Sequence, residues 1–104
     1  YKDQNTKVIT SKLIMQVVCK FFNIKVQDMT STKRSNSVAF PRQIAMYLCR
    51  ELANMSFPNI GKDFGGRDHS TVLHAYSKIT SEYNSNPETK DLIEEIKKSL
   101  SIED

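Results

Sequence analysis

Leu13, Ile14, Val17, Val18, Phe21 and Phe22 recur at the i, i+4 spacing of one helix face. The same spacing returns in Ile44, Ala45, Leu48, Leu52 and Met55, and again in Leu92, Ile93, Ile96 and Leu100. A chain with this repeat buries stripes, so its core is built by helix against helix. Breakers are rare, with three Gly and three Pro in 104 residues. An apolar share of 38% is enough for one domain with a modest core that needs no disulfide or metal. The expected fold class is all-α: a compact domain of about five to six helices that contains a helix-turn-helix preceded by a basic loop.

Residues 1–8 read as a polar lead-in from a preceding domain or linker, and 9–104 as the folded domain. Thr10 or Ser11 can cap a first helix that runs to about Asn23. The stretch IKVQDM, Ile24 to Met29, gives one or two helical turns, and TSTKRSNS, residues 30–37, is polar and aperiodic, hence a loop. Ser37 is expected to start the next helix, with Pro41 tolerated in the first turn. Its core face would be Ile44, Ala45, Leu48, Leu52 and Met55, with Arg42, Gln43, Arg50 and Asn54 on the far side. Ser56 caps a short helix with Pro58 near its second position and with Ile60 and Phe64 inward. Gly65-Gly66 ends it. A longer helix follows at about 68–83, then Asn84-Ser85-Asn86-Pro87 and a last helix from about Pro87 to Leu100.

Several function classes drop out early. No apolar run approaches the roughly 20 residues of a membrane span, and no stretch reads as a signal peptide. The chain opens on Tyr, which reads as a fragment of something longer. Cys19 and Cys49 each sit inside an apolar helical pattern, which suits small buried residues of a reducing cytosol. Charge is unevenly placed. Residues 82–104 hold seven acids and three bases, so against a whole-chain charge of +3 the first 81 residues carry +7. Between Met29 and Arg50 stand Lys33, Arg34, Arg42 and Arg50 with no acid. A localised basic surface suits a polyanion, of which nucleic acid is the commonest; the alternative is a solvated basic face.

Short helix, glycine turn, longer helix over residues 56–83 is the layout whose second helix enters the DNA major groove. On a wheel of about 100° per residue, Val72, Tyr76, Ile79 and Tyr83 share one narrow arc, the buried stripe. The opposite arc holds Arg67, Ser70, Thr71, His74, Ser77, Lys78 and Ser81, with no acid and no large apolar group. Small side chains let a backbone come close, hydroxyls bond base edges or phosphate, and a Thr methyl suits a thymine methyl. His74 can donate or accept at a purine edge. Asp68 fits two roles, a helix cap or an acceptor for a cytosine amino group. His69 lies on the flank nearer the core, where it is either a packed histidine or a first-turn reader. Arg34 on a thin loop can enter a narrow A·T-rich minor groove, with Lys33 beside it. Arg42 and Arg50 are placed for phosphates, which set register rather than sequence choice.

GGRDHSTVLHA, residues 65–75, closely resembles the signature of the DnaA family of bacterial chromosomal replication initiators, and KRSNSVAFPRQIAMYL, residues 33–48, resembles the basic loop and following helix of that family's C-terminal domain, domain IV. The likeness covers about residues 9–100. It implies sequence-specific binding of double-stranded DNA at short asymmetric repeats, the DnaA boxes, of the replication origin. Helix 68–83 would lie in the major groove and loop 32–37 in the minor groove. Carried over by residue, Arg34 matches the minor-groove arginine, and Asp68, His69, Thr71 and His74 match the major-groove readers. Ser70 stands where threonine is common. Arg42, Gln43 and Arg50 match positions near the DNA backbone, with Lys78 on the same side; Lys33, Ser35 and Arg67 join the expected phosphate contacts. Asn36 and Phe40 replace arginines of some members, which implies weaker phosphate attraction with base choice largely kept. The resemblance also implies a longer, cytoplasmic, nucleoid-associated protein. Its ATP-binding AAA+ module would use ATP and Mg, and other protomers would be met through domains outside this chain. No cofactor is expected in the domain itself, and no GxxxxGK[ST] motif occurs in it.

Two rivals compete. His69 and His74 at i, i+5 lie about 140° apart on a helix, unlike the i, i+4 pair of a zinc helix, so neither a catalytic nor a metal residue is expected. The acidic last helix fits a protein-interaction module, a function that DNA binding does not preclude.

Overall fold

The computed structural model describes residues 9–32 and 35–101. The lead-in 1–8 and the pair Lys33–Arg34 lie outside the described residues. Among the described residues there are six helices and no strand: α1 (Ser11–Phe22), α2 (Gln27–Thr30), α3 (Asn36–Ala53), α4 (Phe57–Asp63), α5 (His69–Ser85) and α6 (Pro87–Ser101).

Local chemistry sets most of the boundaries. Thr10 caps α1 by accepting from the Leu13 amide at 3.2 Å. Asn23 and Asn54 end α1 and α3 in the left-handed region, φ 57 and 53, a conformation that asparagine tolerates. Ser56 caps α4 through the Asn59 amide at 3.3 Å. Asp68 caps α5 through the Ser70 amide at 3.3 Å.

Other boundaries differ from expectation. α2 is a single turn, within the one or two expected, but it runs over Gln27–Thr30 rather than from Ile24, anchored by buried Met29. α3 starts at Asn36 rather than from a Ser37 cap, because the amides of Val38 and Ala39 already bond to the Ser35 carbonyl at 3.0 and 2.8 Å. Pro41 therefore falls in the second turn, and α3 goes without the backbone bond its amide would make. α5 runs two residues past Tyr83, to Ser85, because the Asn86 amide still closes on the Glu82 carbonyl at 2.8 Å.

α3 is the axis of the fold. It packs on α1, α2, α4 and α5, while α6 closes against α1 and α5. Enclosed on several sides, it buries Val38, Ile44, Ala45, Met46, Tyr47, Leu48 and Cys49, more than one stripe. Leu52 and Met55, expected in the core, are only half-buried at its edge. Both cysteines are free and buried, and burial raises both thiol pKa values, Cys49 to about 12. Phe40 sets its ring edge-on to Phe22 at 6.2 Å, holding the first turns of α3 to the end of α1.

α4, the glycine turn and α5 form the helix-turn-helix. The Gly61 carbonyl accepts from the Gly66 and Arg67 amides at 3.0 and 2.8 Å, which folds the turn back onto α4. A Cβ at Gly61 would sit 2.1 Å from the Arg67 carbonyl oxygen, so no side chain fits there. Gly65 and Gly66 follow at φ 91 and 79.

Candidate nucleic-acid interface

α5 turns Val72, Ala75 and Ile79 into the core. Tyr76 and Tyr83 cover them at its margin, half-buried. Of the acid-free arc of the wheel, Ser70, Thr71, His74, Ser77, Lys78 and Ser81 are exposed, while Arg67, which precedes the helix, is half-buried. The periodicity therefore placed this helix correctly about its axis. Leu73, overlooked in the sequence, stands 45% exposed beside that arc and offers it an apolar border.

Two concavities of about 430 Å³ each meet at the N-terminal end of this face. One, between α3 and α5, is walled by Arg42, Gln43, Arg67, Thr71, His74 and Lys78 among others. The other lies between the end of α2 and the glycine turn, walled by Thr30, Ser31, Thr32, Gly65, Gly66 and the same Arg42, Arg67 and Thr71. The approach to the basic loop and the start of α5 thus open onto one depression. Thr30 to Thr32 carry no sequence signal for this role, because tertiary hydrogen bonds bring them here.

The individual site residues divide. Asp68 is the cap: Oδ2 holds the Ser70 amide, while Oδ1 lies 3.8 Å from Nδ1 of His69. Both side chains are more than half exposed, so His69 is not the packed histidine its flank suggested. Ser35 is exposed, with its hydroxyl 3.2 Å from that of Ser37. Lys78 is exposed and Gln43 half-buried on the α3–α5 depression. Arg50 is exposed but stands outside both concavities. It donates to the Met55 carbonyl at 3.1 Å and lies 4.9 Å over the Phe57 ring.

Arg42 and Arg67 depart furthest from expectation. Arg42, assigned to the far side of α3, is only 7% exposed. It donates to the Asp28 carbonyl at 2.8 Å and the Ser31 hydroxyl at 3.3 Å. Arg67 is half-buried and donates to the carbonyls of Phe64, Met29 and Ser31. Burial lowers the pKa of both guanidiniums, and for Arg42 the nearby charge of Arg67 adds to it. Arg42 is turned inward because α3 is covered at its N-terminal end by α2, which a helical wheel of α3 alone does not show; Arg67, in the turn before α5, is drawn onto the same segment by the Met29 and Ser31 carbonyls.

No group of three or more His, Cys, Asp or Glu able to hold a metal occurs among the described residues. Nor is any helix among them long and apolar enough to cross a membrane.

A short helix, a glycine turn and a longer helix with an exposed, acid-free, hydroxyl-rich face define a domain of the helix-turn-helix class. Residues 11–79 match the family model described as "Bacterial dnaA protein helix-turn-helix". The chain is 52% identical over 95 residues to the chromosomal replication initiator protein DnaA of Caldanaerobacter subterraneus subsp. tengcongensis and to that of Thermoanaerobacter sp. strain X514. In each case the match covers 91% of this chain and 21% of the relative, so the chain spans about a fifth of the length of these proteins. A solved structure described as a DNA replication initiation factor superposes with a TM-score of 0.78 at 32% identity, over 86% of this chain and 27% of that one. The chain belongs to the bacterial DnaA helix-turn-helix family.

Proposed function

We propose that this domain binds double-stranded DNA sequence-specifically at the DnaA boxes of a bacterial replication origin. α5 lies in the major groove and the loop at 32–37 in the adjacent minor groove. One observation carries the reading: the acid-free face of α5 is exposed and ends at the depression into which the approach to the basic loop also opens. Ser70, Thr71 and His74 read base edges, with Asp68 and His69 at the first turn and Arg34 in the minor groove. Lys33, Ser35, Gln43, Arg50 and Lys78 bond phosphates and fix register. In the longer protein that the relatives' lengths suggest, ATP and Mg belong to another module, and further protomers meet this one through segments outside the chain. Such a protein works in the cytoplasm, on the nucleoid.

Titration of the chain against a duplex carrying a DnaA box and against a scrambled duplex tests the reading. The box should bind more tightly by roughly 10³-fold or more. Both affinities should fall with salt, at a slope near −0.9 per phosphate neutralised. Equal affinity for the two duplexes would end the proposal.

A further inference from the structure

Arg42 from α3 and Arg67 from the turn before α5 converge on one stretch of backbone, residues 28–31. Arg42 holds the Asp28 carbonyl and the Ser31 hydroxyl; Arg67 holds the Met29 and Ser31 carbonyls and, on its own side, that of Phe64. The end of α2 is thereby tied both to the helix behind it and to the turn that launches α5. Gly65 seals the contact. It sits at φ 91, and a Cβ on it would fall 2.6 Å from the Thr30 carbonyl oxygen. A buried guanidinium is tolerated when its hydrogens meet acceptors; for Arg67 three carbonyls do this at fixed places in the fork that arginine presents, and for Arg42 one carbonyl and one hydroxyl meet its Nη2.

We propose that Arg42 and Arg67 are positioning residues. They fix residues 28–32, the approach to the basic loop, against the start of α5, so that the two DNA-reading elements keep one spacing, without either arginine bonding a phosphate. The proposal rests on the DNA-binding reading above, because a spacing matters only if both elements engage the same duplex.

Arg67→Lys separates the two roles. Lysine keeps the charge that a phosphate contact needs but cannot span several carbonyls as a planar fork. Box and scrambled duplexes are titrated at several salt concentrations, with helicity checked by circular dichroism. We expect the box-to-scrambled affinity ratio to fall about tenfold, the discrimination carried by a single base pair, while the salt slope and the scrambled affinity hold. A merely structural loss would lower the folded fraction and scale both affinities alike, so the ratio is the informative readout. Arg42→Lys and Gly65→Ala disturb the same junction from α3 and from the turn, and should lower the ratio in the same way if Arg67→Lys proves too unstable to measure. A ratio unchanged in these variants, or losses equal on both duplexes in Arg67→Ala with a salt slope shallower by about one unit, overturns the proposal. If the wild-type chain itself fails to distinguish the two duplexes, the DNA reading falls, and this one with it.

Discussion

The Tyr76 hydroxyl donates to the Glu51 carboxylate across 2.6 Å, joining the middle of α5 to the last turns of α3. Around that bond the aromatic rings form a ladder. Tyr47 stacks between Tyr76, at 5.4 Å, and Tyr83, at 6.3 Å, and Phe57 leans on Tyr76 at 5.6 Å. The Tyr83 hydroxyl in turn donates to Glu94 of α6. The ladder grips the side of α5 opposite its exposed face, so ring packing sets which residues the helix presents.

Removing the hydroxyl and removing a ring should therefore differ. Tyr76→Phe keeps the stack and loses one partly exposed hydrogen bond, a cost of no more than about 1 kcal/mol. Tyr47→Ala empties the centre of the ladder and should cost about 3–5 kcal/mol, as large core truncations do. Urea unfolding of both variants checks the order. A Tyr76→Phe loss as large as that of Tyr47→Ala would show that the bond, not the rings, holds α5.

Two buried groups predict an alkaline limit to stability. Burial, helped by Asp63, lifts the Cys49 thiol from its ordinary 9.0 to about 12, and burial, helped first by Glu51, lifts the Tyr47 phenol from 10.0 to about 12. Both pKa values are raised on folding. Their neutral forms therefore favour the native state fully below the unfolded values, and the benefit drains away as pH climbs toward about 12. Stability should begin to fall above pH 9 and fall faster above pH 10, by up to about 1.4 kcal/mol per pH unit for each group. Cys49→Ala should flatten the first part of that fall, between pH 9 and 10, whatever it does to stability at neutral pH. Urea midpoints collected from pH 7 to 11 test this, and an identical pH slope in wild type and variant would count against the assignment to Cys49.

Sequence periodicity carried the fold a long way, and the reasons it stopped are physical. The caps Thr10, Ser56 and Asp68 and the double-glycine turn are local chemistry, written within a few residues of where they act. The exposed face of α5 follows from a buried stripe on the same helix. The inward turn of Arg42 and Arg67 is not legible in the sequence because the groups that hold them come from α2 and its C-cap Ser31, 14 and 36 residues away for the Asp28 and Ser31 carbonyls. No pattern within α3 or α5 encodes that distance. Asn54 is exposed, as its place on the far side of α3 suggests, and is also the helix C-cap, a role decided by its φ of 53 rather than by its face.

Arg50 lies over Phe57 and donates to the Met55 carbonyl just past the end of α3, yet its side chain remains exposed. If it also touches phosphate, Arg50→Ala should weaken box and scrambled duplexes alike and make the salt slope shallower by about one unit. Salt titrations on both duplexes decide it; a loss confined to the box contradicts the phosphate role.

Arg34 precedes Ser35 and α3 and is the side chain assigned to the minor groove. A·T-rich tracts narrow that groove and deepen its negative potential. Arg34→Ala should therefore cost most on boxes with A·T-rich flanks. Competition between boxes flanked by A·T and by G·C measures this directly, and equal losses would remove the minor-groove assignment.

His74 stands at the centre of the exposed arc of α5 and on the wall of the α3–α5 depression, one turn from Ser70 and from Lys78. Its neighbours on that arc are a small hydroxyl and a flexible cation, so the imidazole is the most directional hydrogen-bonding group there. A residue in that place discriminates by what it can donate to or accept from one base edge. His74→Ala leaves the capped start of α5 and its buried stripe intact, so the helix should form as before. The variant should lose about 1–3 kcal/mol on the preferred duplex and relax choice at a single base pair, while scrambled-duplex affinity and salt slope hold. A binding screen over all single-base variants of the box would locate that pair as the one position whose preference flattens. A box-to-scrambled ratio unchanged from wild type would remove His74 from the reading face and shift the burden to Ser70 and Thr71.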